Sequence, residues 1–229
     1  DMGTAGGPRE AWDVLRTALA LPNQMRSVAC EALFPDTIGS ADIALLLEKP
    51  DVRDEHSGSL QHAIERLLEE HLTPESAGAL IVELNRLLQI VPHIKSSKKE
   101  TRISSLCEYL LEILPLALTR LLSGPVSEAE CGPAAESLSL IAEAQPFNRS
   151  HSDHYKSIDN ATAAHPSVRQ CFFWHTVERW RAEHPNDTNY VLVMHEFRQV
   201  LNLSGSDLEW MIPDIQNRPD RADRLLALH

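Results

Sequence analysis

His151, Asp153 and His154 are the most closely spaced set of potential metal ligands in the chain. Imidazole and carboxylate together suit zinc, iron or manganese. Six of the eleven histidines fall between His151 and His195, the others being His165, His175 and His184. One reading is therefore a metal-dependent hydrolase that works from the histidine-rich second half. A zinc site needs three or four ligands oriented by further hydrogen bonds, and no third ligand is fixed by spacing here. Ordinary surface or capping histidines are the reading that the spacing favours, and no catalytic, cofactor-binding or metal-ligating residue is assigned.

The other reactive types read the same way. Glu69-Glu70 and Glu128/Glu130 are carboxylate pairs, but general acid–base work needs a dry pocket and shifted pKa values. Their polar surroundings predict a solvated acidic face. Cys107 and Cys171 are candidate nucleophiles, yet both sit on apolar helical stripes and read as core thiols. With Cys30 and Cys131 they make four cysteines and no Cys-x-x-Cys pair, so reduced thiols in a cytoplasmic protein are expected. Gly-x-x-x-x-Gly-Lys-Ser/Thr, Gly-x-Gly-x-x-Gly, Gly-x-Ser-x-Gly and His-Glu-x-x-His are all missing from the sequence. The basic run Lys95, Lys98, Lys99 and Arg102 reads as a solvated interhelical loop. The formal charge is −12, which repels phosphate backbones and anionic lipid. Neither a membrane nor nucleic acid is expected as a partner. Phe172, Phe173, Trp174 and Trp180 form the densest aromatic group. Core packing is the favoured reading, with an exposed recognition patch as the alternative.

The elements that must position these residues are helices. Aromatic residues make up only 5% of the chain, and its Leu- and Ala-rich apolar set favours helix. A first helix is expected after Pro8, with Trp12, Leu15 and Leu19 on one stripe. A second turns Met25, Val28, Ala29, Ala32 and Leu33 inward and stops near Pro35. A short one starts at Ser40 and buries Ile43, Leu46 and Leu47. Leu60, Ile64, Leu67, Leu68 and His71 recur at helical spacing. Thr73-Pro74 then reads as N-cap and first helical residue, ahead of a long apolar face from Ala77 to Val91. Ile103 to Leu121 is a further helix, which Pro115 should kink or divide. Pro133 is expected to open the next.

Residues 145–153 are polar and are expected to separate two helical subdomains, 9–145 and 146–229. Residues 1–8 read as a Gly-containing leader or disordered segment, and the apolar pattern of Arg224 to Leu228 as helix continuing past the end. Pro166 starts a strong helix with Val168, Phe172 and His175 on one face and Phe173, Val177 and Trp180 on another. On that wheel Trp180 belongs to the core and Trp174 lies nearer the edge. Residues 189–197 carry strand-forming types without a partner strand and are read as helix. Ser204 and Asp207 fit a Ser-x-x-acid capping box, with Leu203 and Leu208 at the staple positions. Asp at 204 is expected to restore most of the cap that Ser204→Ala removes. Pro213 should bend that helix.

Three stretches carry a family resemblance: Leu72-Thr73-Pro74-Glu75-Ser76 through Leu87-Leu88, with the basic loop and second Leu-rich helix that follow; His165-Pro166-Ser167-Val168-Arg169 into Phe172-Phe173-Trp174; and Leu203 to Trp210 leading to Arg218-Pro219-Asp220-Arg221 and Leu228. They cover most of residues 60–229. The pattern resembles the helical, HEAT-like region C-terminal to the NTPase core of large bacterial NACHT/STAND-type proteins. The resemblance implies a helical scaffold or sensor arm in an antiphage-defence setting. The NTPase motifs are not in this chain, so no nucleotide-binding residue carries over. The expectation is an all-α, irregular HEAT/armadillo-like solenoid without an active site, whose partner is another protein or the rest of its own parent chain.

Overall fold

The structure is a computed structural model that describes residues 23–47, 57–90, 105–144, 152–185 and 191–217, with Gly7, Glu10 and Asp13. The expected first helix, the Lys95–Arg102 run, His151 and the final helix lie outside the described residues. Every regular element among the described residues is helical. They are α1 (Asn23–Leu33), α2 (Ser40–Leu47), α3 (Ser57–His71), α4 (Pro74–Ile90), α5 (Ser105–Leu121), α6 (Glu128–Ala144), α7 (Ser152–Thr162), α8 (Pro166–Glu183), α9 (Val191–Val200) and α10 (Gly205–Asn217). The segment around residues 189–197 thus contributes helix α9, as its lack of a partner strand suggested. No described helix is long and apolar enough to cross a membrane.

The chain divides into two compact units, Asp1–Leu121 and Leu122–His229. The division falls earlier than the polar stretch at 145–153, and within the second unit α6 packs against α8 and α9.

In the first unit α4 packs against α2 and α5, α1 against α3, and α3 against α5. Local chemistry sets the ends. Thr73 caps α4 ahead of Pro74: its Oγ1 accepts from the Ser76 N–H at 3.3 Å, and Ser76 Oγ accepts from the Thr73 N–H at 3.1 Å. Ser40 ties α2 to α4 by donating to the Ser76 carbonyl at 2.7 Å. Arg120 on α5 donates to the Glu69 carbonyl at 2.9 Å, meeting one of the orphan acceptors in the last turn of α3. Leu80, Ile81, Leu84, Leu87 and Leu88 are buried along α4, as their spacing dictates.

Helix α1 is rotated from its expected orientation. Met25 and Val28 are 56% and 65% exposed, while Arg26 and Cys30 are buried. The Arg26 guanidinium donates to the Leu46 carbonyl at the end of α2, 3.4 Å away. That partner lies 20 residues downstream and leaves no trace in the local apolar pattern. His71 is likewise exposed and meets Phe34 edge-on rather than joining the stripe of α3.

In the second unit α8 is central and touches α6, α7, α9 and α10. Helix α6 begins five residues before Pro133. Its start carries the acidic half of a capping box, in which Glu130 accepts from the Ser127 N–H at 2.8 Å and from the Ser127 hydroxyl at 2.5 Å. Those bonds hold the Glu130 carboxyl below its usual range, so this carboxylate is a helix cap as well as part of an acidic surface. Neither Pro115 nor Pro213 divides its helix.

Ser204 caps α10 as its sequence signature requires. Asp207 Oδ2 accepts from the Ser204 N–H at 2.8 Å, and Ser204 Oγ accepts from the Asp207 N–H at 3.3 Å. Leu208, however, is 44% exposed, so the staple position is not buried. Ser204→Ala should lower stability by about 1 kcal/mol in a urea melt. Ser204→Asp should not restore it, contrary to the simple capping rule. The Ser204 hydroxyl donates to Asp207 Oδ2 at 2.8 Å, and a second carboxylate there would repel the first. Full recovery with Asp would show that Asp207 does not face residue 204.

Candidate functional site

The most closely knit polar cluster in the second unit is built around Arg169, a residue whose role the sequence did not announce. Arg169 stands in the first turn of α8 and is buried, as is Asp207 in the first turn of α10. The two make a bidentate pair, Nε to Oδ1 at 2.7 Å and Nη2 to Oδ2 at 2.6 Å. Nη1 donates to Thr162 Oγ1 at 3.1 Å and to Asp159 Oδ1 at 3.3 Å, both on α7. Nη2 also donates to the Asn202 carbonyl at 2.5 Å. Asp159 in turn accepts from the Asn202 backbone and side-chain amides at 2.9 and 2.6 Å. The guanidinium carbon lies 5.6 Å from the Phe197 ring centroid, so α9 contributes as well. One guanidinium thus connects α7, α8, α9 and the start of α10. Its donors are spent on holding helices, which makes the cluster a structural hub rather than a reactive centre.

Burial by itself raises the pKa of Asp207, but the hydrogen bonds from Arg169 and Ser204, with the Arg169 charge, bring it below the ordinary aspartate range. A carboxyl whose folded pKa is depressed contributes stability above its unfolded pKa and loses it as pH falls through the folded value. The stability difference between wild type and Asp207→Asn should therefore be largest near neutral pH and shrink steadily below about pH 4. A difference independent of pH would mean that the carboxylate charge is not what Arg169 reads. Glu196 behaves oppositely. Burial and the Glu143 charge raise its pKa despite ion pairing with Arg179 and a hydrogen bond from Ser139. Its share of stability is lost as pH rises through the folded value.

The aromatic group is core, with its two tryptophans exchanged relative to the helical wheel. Trp174 is 8% exposed, whereas Trp180 is half-buried. Trp174 meets Phe173 edge-on at 5.0 Å, and its Nε1–H donates to Asp214 of α10. Phe173 also packs edge-on against Phe197 and Trp210. Trp180 stacks on His184 at 3.8 Å at the end of α8.

The sequence-derived candidates separate clearly. Asp153 and His154 fall within α7, but their side chains lie outside the described residues, as does His151. Among the described residues no three His, Cys, Asp or Glu side chains stand close enough to share a metal ion. Glu69 and Glu70 are exposed. Cys107 is buried, as its stripe predicted. In the first unit, burial and then the Glu31 charge push the Cys30 thiol up to about 12, so it stays protonated and inert at neutral pH.

Cys171 departs from expectation. It is half-buried and lines an open cleft of about 680 Å³ in the second unit, together with Cys131, Gly132, Trp174, His175 and Asp214. Spacing could not show this, because Cys131 and Cys171 are 40 residues apart and meet only through the packing of α6 on α8.

No protein-family model, curated protein or solved structure matches this chain.

Proposed function

We propose that the chain is a non-catalytic helical scaffold or sensor segment of the HEAT-like kind, which binds a protein partner or regulates an NTPase attached in the same parent protein. The supporting observation is the order in which helices pack. In the first unit α1 lies on α3, α3 on α5 and α2 on α4; in the second α6 lies on α8, α8 on α10 and α7 on α9. Contacts between helices two apart in the chain, alongside contacts such as α4–α5 and α8–α9, are what stacked helix pairs make. The polar chemistry favours the same reading, since the Arg169 cluster is committed to holding helices together. A bacterial NACHT/STAND parent and an antiphage-defence role follow from the sequence resemblance, a cytoplasmic setting follows from the cysteine spacing, and all three belong to this proposal. Net charge favours a protein partner over nucleic acid.

Elemental analysis of the purified chain separates this reading from the metal-dependent hydrolase. Well under one equivalent of zinc, iron or manganese per chain is expected. A stoichiometric metal whose removal unfolds the protein, or which supports ester or phosphoester hydrolysis, would overturn the scaffold reading.

A further inference from the structure

The cleft in the second unit brings together two thiols from different helices. Cys131 stands in the first turn of α6, is buried, and donates to the Ser127 carbonyl at 3.4 Å and to Ser167 Oγ at 3.6 Å. Cys171 stands one turn further into α8 and is half-buried on the cleft wall. Cys131 thus sits against Ser167, one helical turn before Cys171 on the same side of α8, and both cysteines line the one cleft. Gly132, also on the wall, adds no side chain over the approach, and a Cβ there would meet nothing within 4 Å. One thiol is thus reachable from solvent, and its neighbour is shielded behind it. Thiol–disulfide exchange uses that asymmetry: the accessible thiol attacks the small disulfide first, and a second thiol on the same cleft resolves the mixed disulfide.

We propose that Cys131 and Cys171 form a reactive thiol pair that a small disulfide of the glutathione class converts, through a mixed disulfide on Cys171, into an intramolecular bridge between α6 and α8. In the first step the Cys171 thiolate attacks one sulfur of the small disulfide. The S–S bond breaks, Cys171 becomes joined to one half, and the other half leaves as a thiolate that takes up the proton Cys171 lost. The Cys131 thiolate then attacks the Cys171 sulfur and expels the second half as a thiol. Two protein thiols are oxidised by two electrons, and one small disulfide is reduced to two thiols.

Burial, the facing Cys131 and Glu128 raise the Cys171 pKa, so at neutral pH the pair reacts through a small thiolate fraction. The ionisable neighbours on the cleft wall are Glu128 and Cys131 from α6, His175 and Glu178 from α8, and Asp214 from α10. The acidic members outnumber the one imidazole and disfavour the thiolate. The bridging rate should therefore climb by about tenfold per pH unit on the alkaline side of neutrality. Cys30 and Cys107, both buried in the first unit, serve as internal controls.

The test is to incubate the folded chain with oxidised glutathione and follow intact mass and peptide maps. Wild type should lose two hydrogen atoms, give a linked peptide containing Cys131 and Cys171, melt at higher temperature, and revert with reductant. Cys131→Ser should stop at a mixed disulfide on Cys171. Cys171→Ser should give neither product while keeping wild-type helicity by circular dichroism. A wild-type chain that accumulates the mixed disulfide without ever bridging would overturn the proposal. So would a folded chain that stays unmodified while the urea-unfolded chain reacts.

Discussion

Arg169→Met is expected to lower stability by about 3–5 kcal/mol, the cost of leaving a buried carboxylate without its counter-ion. Methionine fills much of the arginine stem's volume, so the loss reports charge and hydrogen bonds more than packing. Asp207 would lose a bidentate partner while remaining 1% exposed. Asp159 would fare better, since the Asn202 amides still serve it. The two carboxylates therefore predict different couplings. In double-mutant cycles Arg169 should couple to Asp207 by more than 1 kcal/mol, and to Asp159 by less. The measurement is a urea melt of each single and double variant. A loss below 1 kcal/mol for Arg169→Met would mean that water replaces the guanidinium and that the hub is wetter than its burial implies.

Trp174→Ala is the second large effect, expected at about 3–5 kcal/mol as for other buried aromatic truncations. It removes an edge-on contact with Phe173 and leaves the Asp214 carboxylate without the indole donor. Trp180→Ala should cost about 1–2 kcal/mol. That indole is half-buried, stacks on His184 near the helix end, and has an Nε1–H without a hydrogen-bond partner among the described residues. Removing it discards a buried unsatisfied donor along with apolar contact, and the two effects partly cancel. Equal losses would place both rings equally in the core. A larger loss at Trp180 would restore the orientation that the helical wheel gives.

The sequence was most legible where the determining contacts are local. Thr73-Pro74 opens α4 and Ser204 with Asp207 opens α10, because a cap and the donors it serves lie within four residues. The apolar spacing of Leu80 to Leu88 defined a buried face for the same reason. Legibility failed where a distant partner decides orientation. Met25 and Val28 read as inward, yet α1 turns Arg26 inside to reach the Leu46 carbonyl. The wheel misplaced Trp174 because α8 is contacted by four helices, so its apolar residues are not confined to one stripe. Arg169 carried no local signal of its role, and only the fold brings Asp159, Thr162, Asn202 and Asp207 around it. The Cys131–Cys171 pair was hidden for the same reason. Ser127 and Glu130 are the exception. Their Ser-x-x-Glu spacing is a full capping-box signature ahead of an apolar run, and reading Pro133 as the helix start obscured it.

Sequencing the native transcript that contains these codons decides whether these helices form a non-catalytic arm serving an NTPase. An open reading frame that continues upstream, in frame, into a Gly-x-x-x-x-Gly-Lys-Ser/Thr phosphate-binding loop is expected. A reading frame that starts and stops within a few codons of Asp1 and His229, with no such loop, would contradict it.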